Sequence, residues 1–206
     1  MASSYEWLHT VTFWVLYAAV ALATFVIIER SIFYARTASF ARKLLAAMPH
    51  DINRAEDVPD HLLDHDSVPS QVVRDMLRWR AMARSRHELE DSSEAIYIDA
   101  KAKLSRHLWI LDTIVTGAPL LGLLGTILGI INTFTALAQS GISDPAGVSA
   151  GIGTALFATA LGISVALYGL VFHNAFHERV KTVGDHIKVL LIRAGTHNEA
   201  TQRVAA

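Results

Sequence analysis

The stretch Thr113 to Ser143, TIVTGAPLLGLLGTILGIINTFTALAQSGIS, contains no charged residue. Roughly 30 helical residues at about 1.5 Å each exceed the ~30 Å hydrocarbon core of a bilayer, so the stretch can span it and keep a turn outside. Within it, Ala118, Gly122, Gly125, Gly129, Asn132 and Ala136 recur at alternating spacings of four and three. A stripe of small residues lets helix backbones approach closely, which is how helices associate where lipid supplies no hydrophobic push. Its average period of about 3.5 residues predicts near-parallel packing with a slight left-handed supercoil. Pro119 removes the backbone bond to the carbonyl of Val115 and predicts a kink near the start of this span.

Outward from that stretch the pattern repeats. Pro145 to Phe176 is again free of charge and carries its own stripe, Ala155, Thr159, Gly162, Ala166 and Gly169. Between the two runs, Asp144 can cap the following helix and Pro145 suits a first helical position, where its missing N–H would be unpaired anyway. The two runs therefore read as a helix–short loop–helix hairpin. Their stripes either hold the two spans of one chain together or also serve between subunits; spacing alone leaves both open. A third run, Val11 to Ile28, is interrupted only by Thr12 and Thr24 and closed by Glu29 and Arg30. Trp7, Trp14 and Tyr17 lie toward its start, where amphipathic rings favour the headgroup level.

Composition agrees with three spans. Of 206 residues, 52% are apolar and 18% charged, and the mean hydropathy is +0.34, too apolar for a disordered chain. A net charge of −1 leaves no basic footprint for nucleic acid. The absence of cysteine excludes disulfides, thiolate metal sites and a cysteine nucleophile. All 18 Lys and Arg fall between Arg30 and Arg106 or from Arg179 onward. The positive-inside rule then places the N-terminus and the short loop outside, with the middle segment and the C-terminal tail in the cytoplasm. With no basic region before the first run and Glu29-Arg30-Ser31 in place of a small-residue cleavage site, that run reads as a retained anchor.

The expected fold is an all-α membrane protein with three transmembrane helices and long cytoplasmic helical extensions. Its expected parts are a periplasmic N-terminus 1–10, spans 11–30, 109–139 and 148–177, a cytoplasmic helical segment 31–108, a periplasmic loop 140–147 and a cytoplasmic tail 178–206. In the middle segment, Ser39 to Ala47 continues the first helix and Pro49 ends it. Residues 49 to 69 read as a loop or a short turn of helix. From Gln71 to His107 the apolar spacing is helical, and with no proline or glycine before Gly117 this helix is expected to run unbroken into the second span.

Few residues carry chemistry. Thr126, Thr154 and Thr159 lie at membrane depth, with Asn132 and Thr133 beyond Thr126. A single threonine bonds readily to its own helix carbonyl, whereas several facing one seam can line a wet path. None of the 19 acidic residues lies deep in a span; Asp112 and Asp144 sit at the ends. A carboxylate at the bilayer centre costs about 2.5–3.5 kcal/mol and normally marks a proton relay. A proton-conducting complex built on this chain therefore needs its titrating group from a partner. The histidine pairs His61/His65 and His173/His177 have ligand spacing but no further ligands to complete a structural site. Neither a metal nor another cofactor is expected, and with no nucleophile–base set near a span end, neither is an enzyme.

Three stretches resemble the MotA/TolQ/ExbB proton-channel family: Ala118 to Ile131 its second-span signature, Gly151 to Gly162 its third span, and Ile28-Glu29-Arg30 the end of its first. Asn174 falls at the position of the family's asparagine. The resemblance is strongest to ExbB-like subunits of the bacterial inner membrane. It implies a homo-oligomeric ring, typically a pentamer, whose second and third spans line a pore around single-span ExbD- or TolR-like helices. Those helices supply an aspartate, and proton flow drives a TonB- or TolA-like transducer. By motif position Thr126 and Thr159 match the pore-lining threonines, with Thr154 where a glutamate is usual, Tyr168 where a proline is usual and His173 where a tyrosine is. Ala118, Gly122, Gly125, Gly129, Ala155, Gly162, Ala166 and Gly169 are the expected packing residues. A TolQ-like envelope-integrity role, a MotA-like motility stator and a non-conducting scaffold are the alternatives.

Overall fold

The structure, a computed structural model, describes residues 2–48, 60–140 and 145–195. Within them it is all-helical: α1 (Ala2–Ala47), α2 (Asp60–Leu63), α3 (Val68–Met82), α4 (Arg86–Ser105), α5 (Leu108–Ser140) and α6 (Pro145–Gly195). Three of these, α1, α5 and α6, are long and apolar enough to cross a membrane. The 46 residues of α1 contain neither glycine nor proline, and at about 1.5 Å per residue they reach roughly twice the thickness of a bilayer core. Pro119 lies inside α5, which continues on both sides of it. Pro145 is the first residue of α6; Pro49 and the expected cap Asp144 lie outside the described residues.

The chain divides into two compact units. The first comprises Met1–Glu29 and His107–Ala175, and the second Arg30–Arg106 and Phe176–Ala206. In the first unit, the early part of α1 packs with α5 and the early part of α6. Leu16, Ala23, Leu111, Ala118, Ala155, Ala158 and Val165 are buried there, while large apolar side chains such as Leu120, Phe157 and Val171 stay exposed.

The second unit is built differently. Its core includes Tyr34, Leu44, Met76, Leu104, Val183, Ile187 and Leu190, and three of its helices end on side chains from elsewhere in the chain. The last carbonyls of a helix have no intrahelical donor, and a cation is also favoured there by the helix dipole. Arg193 Nη1 donates to the carbonyls of Leu45 (2.7 Å) and Met48 (2.8 Å) at the end of α1. Arg80 Nη1 donates to Ala194 O (3.1 Å) at the end of α6, and Tyr34 Oη to Leu104 O (2.8 Å) at the end of α4.

The expected unbroken helix from Gln71 into the second span is corrected: it is three helices. The first break, Ala83 to Ser85, is a capping event. Ser85 Oγ accepts from Glu88 N (3.2 Å), and Glu88 Oε2 accepts from Arg84 N (2.8 Å). This is a Ser-x-x-Glu start signal, strong enough to open a helix without glycine or proline. The two helices form a hairpin, with Lys103 Nζ of α4 donating to Gln71 Oε1 of α3 at 3.1 Å. At the second break Arg106 leaves helical geometry and His107 takes a φ of 68°, a left-handed conformation that disfavours side chains with a Cβ. Pro69, expected at the end of the loop, is instead in the first turn of α3, which opens on an N-cap at Ser67.

Candidate functional site

The seam between α5 and α6 is where the small residues act. A Cβ added to Gly122 would stand 2.8 Å from Ala158 O and 3.2 Å from Gly162 Cα. One on Gly162 would stand 2.5 Å from Ala118 O and 3.0 Å from Gly122 Cα. Real Cβ atoms do not sit so close to backbone, so these two positions admit only glycine without moving a helix. Further along the seam, Gly125 faces Ala158 Cβ, Gly129 faces Ala155 Cβ, and Gly169 faces Val115 Cγ2. Ala118, Ala155 and Ala166 are buried. Both stripes thus pack the two helices of one chain onto each other.

Close approach brings a backbone carbonyl within reach of the opposite helix. Thr159 Oγ1 of α6 donates to Gly122 O of α5 at 3.1 Å. Thr126 Oγ1 lies 3.1 Å from the same oxygen, one turn back on its own helix, and 3.2 Å from Ala155 O across the seam. The two hydroxyls also hydrogen-bond each other. A hydroxyl has one proton and two acceptor lone pairs, so two protons are shared among more acceptors than they can serve at once. The pair can exchange partners without any group becoming charged. Both threonines are half-buried.

Thr154 stands apart. It is exposed and its Oγ1 donates to Ala150 O of its own helix (3.0 Å). Thr133 belongs to the seam: its Oγ1 donates to Gly129 O (2.8 Å), and its side chain fills the space left by Gly151 on α6. Reading one stripe per helix missed Ala158 and Gly151, although a helix of 3.6 residues per turn presents two adjacent rows to a partner. It also missed what α1 adds. Thr12 is buried, with Cγ2 3.3 Å from the Cβ position of Gly125, and His9 Nε2 lies 3.2 Å from that of Gly129. Phe13 stacks on Phe157 at 6.3 Å. Among the described residues no group of three or more His, Asp or Glu could hold a metal ion.

Two glycine-rich apolar helices packed on each other, with no carboxylate from Thr113 to Ser140 or from Pro145 to His177, carry the two threonines that the resemblance singles out, Thr126 and Thr159. The profile of the MotA/TolQ/ExbB proton channel family matches residues 64–188, more than half of the chain and all of the seam from α5 onward. The chain belongs to the MotA/TolQ/ExbB family. With its three long apolar helices, this family member is a multi-pass membrane protein.

Its similarity to individual relatives has the same character. It is 30% identical over 134 residues to the biopolymer transport protein ExbB of Pseudomonas putida, covering 63% of this chain and 39% of that protein. Against ExbB of Helicobacter pylori it is 34% identical over 100 residues, covering 48% and 66%. Against ExbB of Aquifex aeolicus it is 38% identical over 79 residues, covering 38% and 53%. The chain thus spans between 39% and 66% of the length of these curated relatives.

Proposed function

We propose that this MotA/TolQ/ExbB family member is an ExbB-like pore-ring subunit of a proton-driven motor in the bacterial inner membrane. It assembles as a homo-oligomer, of which a pentamer is the expected form. An ExbD- or TolR-like single-span partner supplies the proton-carrying aspartate, and the motor energises TonB-dependent outer-membrane transport through a TonB-like transducer. In this reading the chain is not an enzyme. Its N-terminus and the loop 140–147 face the periplasm, and residues 31–108 and 178–206 face the cytoplasm. The distribution of Lys and Arg on either side of the uncharged runs supports that orientation.

The observation that carries the reading is the Thr126–Thr159 pair, set beside the close approach of Gly122 and Gly162 in stretches of α5 and α6 that hold no acid. Neutral hydroxyls that can switch partners suit a path on which a partner's carboxylate loses and regains its proton. A buried acid in the subunit itself would instead compete for that proton. The test is proton flux into liposomes reconstituted with the chain and its co-purified single-span partner. The double substitution Thr126→Val and Thr159→Val is expected to lower flux at least about tenfold, some 1.4 kcal/mol on the barrier. Wild-type complexes that pass no protons would reject the proposal. One observation favours a second reading, a non-conducting scaffold: Thr154, where the resemblance leads one to expect a glutamate, is exposed and bonded only to its own helix. Detergent sensitivity or loss of movement on deleting the gene, in place of iron starvation, would shift the assignment to a TolQ-like or a MotA-like role.

A further inference from the structure

α1 brings into the seam a titratable group of a kind absent from α5 between Thr113 and Ser140 and from α6 between Pro145 and Leu167. His9 is half-buried, yet its Nε2 is fully enclosed and has no hydrogen-bond partner among the described residues. That nitrogen sits in the space that glycine leaves at position 129, 3.2 Å from where a Cβ would stand, and Ala155 of α6 closes the same spot from the other side. The ring also meets Phe13 edge to face, with centroids 5.1 Å apart. Gly129 lies three residues beyond Thr126, about 4.5 Å along the helix axis. The bonds bracket this spot: Ala155 O accepts from Thr126, and Gly129 O accepts from Thr133.

The electrical surroundings are simple. α5 from Thr113 to Ser140 and α6 from Pro145 to Phe172 contain no acid, lysine, arginine or histidine, so neither helix packed against His9 presents it a charge. On α1 itself the nearest charged residue in sequence is Glu6. An enclosed ring nitrogen without a partner is a poor packing element, since an apolar ring of the same size would fill the space without an unsatisfied polar atom. Imidazole is also the side chain whose charge changes between about pH 5 and 8.

We propose that His9 is a proton-exchanging residue at the N-terminal end of the α1–α5–α6 seam. The half-buried ring takes a proton on Nδ1, the nitrogen that is not enclosed, forming an imidazolium. It gives up the proton on Nε2 toward the Thr126–Thr159 side and is neutral again; exchange of the remaining proton between the two nitrogens through water restores the starting ring, so nothing is consumed. Gly129 is the residue that admits the ring. This inference rests on the proton-conducting reading above for its flux consequence, and on nothing but the geometry of His9 for its titration.

The experiment has two readouts on the full chain with its co-purified partner. Liposome proton flux is measured at outer pH values from about 5 to 8, for wild type and for His9→Gln, which keeps hydrogen-bonding capacity but cannot titrate. The expected result is a fall of about tenfold and a loss of dependence on outer pH, with the assembly mass unchanged; bulk water substitutes in part, so the fall is smaller than for an obligatory proton donor. Flux and pH profile equal to wild type would overturn the proposal. In parallel, nitrogen-15 spectra of histidine-labelled wild-type protein in lipid nanodiscs follow the His9 ring. A ring that gains a proton as the pH falls through the same window supports the proposal, and one that stays neutral throughout overturns it. If wild-type liposomes pass no protons, the channel reading falls, and the ring titration decides the role of His9 by itself.

Discussion

The two units of this chain satisfy their polar groups by opposite means. In the first, hydroxyls mostly turn back onto their own helix: Thr24 to Val20, Thr116 to Asp112, Thr133 to Gly129, Thr154 to Ala150 and Ser164 to Ala160. Helix-to-helix attachment there is chiefly a matter of shape, with glycine against backbone at Gly122 and Gly162. In the second, long charged and phenolic side chains reach across the sequence to finish helices that cannot finish themselves, as Arg193, Arg80 and Tyr34 do. The difference follows from the solvent each is made for. Where water is absent a polar group must be satisfied locally and a charge is expensive. Where water is near, a guanidinium is tolerated and its planar fork can hold two carbonyls at once.

The sharpest way to break this contrast is Gly162→Val. With Ala118 O only 2.5 Å from the Cβ position, the helices must separate, at a cost of about 3 kcal/mol. Loss of monodisperse protein and of the thermal transition is expected. The matching control is Gly153→Ala, where nothing lies within 4 Å of the Cβ position and stability should hold or improve. In the second unit Arg193→Met keeps the stem and deletes two charged hydrogen bonds. A loss of about 2 kcal/mol is expected, read as a lower melting temperature and faster amide exchange in the last turn of α1. At the junction between helices, His107→Gly should stabilise by about 0.5–1 kcal/mol by relieving the left-handed backbone; a destabilisation would mean that the 3.8 Å contact of Nδ1 with Glu29 matters more than the strain. The smallest effect belongs to the exposed Lys103–Asp99 pair at 2.7 Å. Asp99→Asn should change stability by no more than about 0.5 kcal/mol, and a larger loss would show that α3 and α4 rely on surface charge after all.

How much of this was legible in the sequence depended on how local its cause was. Small residues at alternating spacings of three and four admit few arrangements in an apolar helix, so the seam through Gly122 and Gly162 was readable; Thr126 and Thr159 stood out as hydroxyls at membrane depth, but their bond to each other and their shared carbonyl at Gly122 did not. The break at Ala83–Ser85 was equally local, but its signal was Ser85 with Glu88, not a glycine or proline. The left-handed turn at His107 has no sequence mark, because a histidine adopts it only when the helices on either side require it. Nor do the Arg193 bonds, whose partners lie 145 and 148 residues away. His9 was passed over because ligand spacing directs attention to pairs, and its interest comes from the space opposite it at Gly129.

The Arg193 cap also orders events at the ribosome. α1 emerges early, yet the group that completes its last turn is encoded 145 residues after Met48. At roughly 5–20 residues per second, that is a wait of about 7–30 s. During that interval the carbonyls of Leu45 and Met48 must make do with water, and the second unit cannot close until the end of α6 has been synthesised. A helix made well before its partners is thus among the last to be finished.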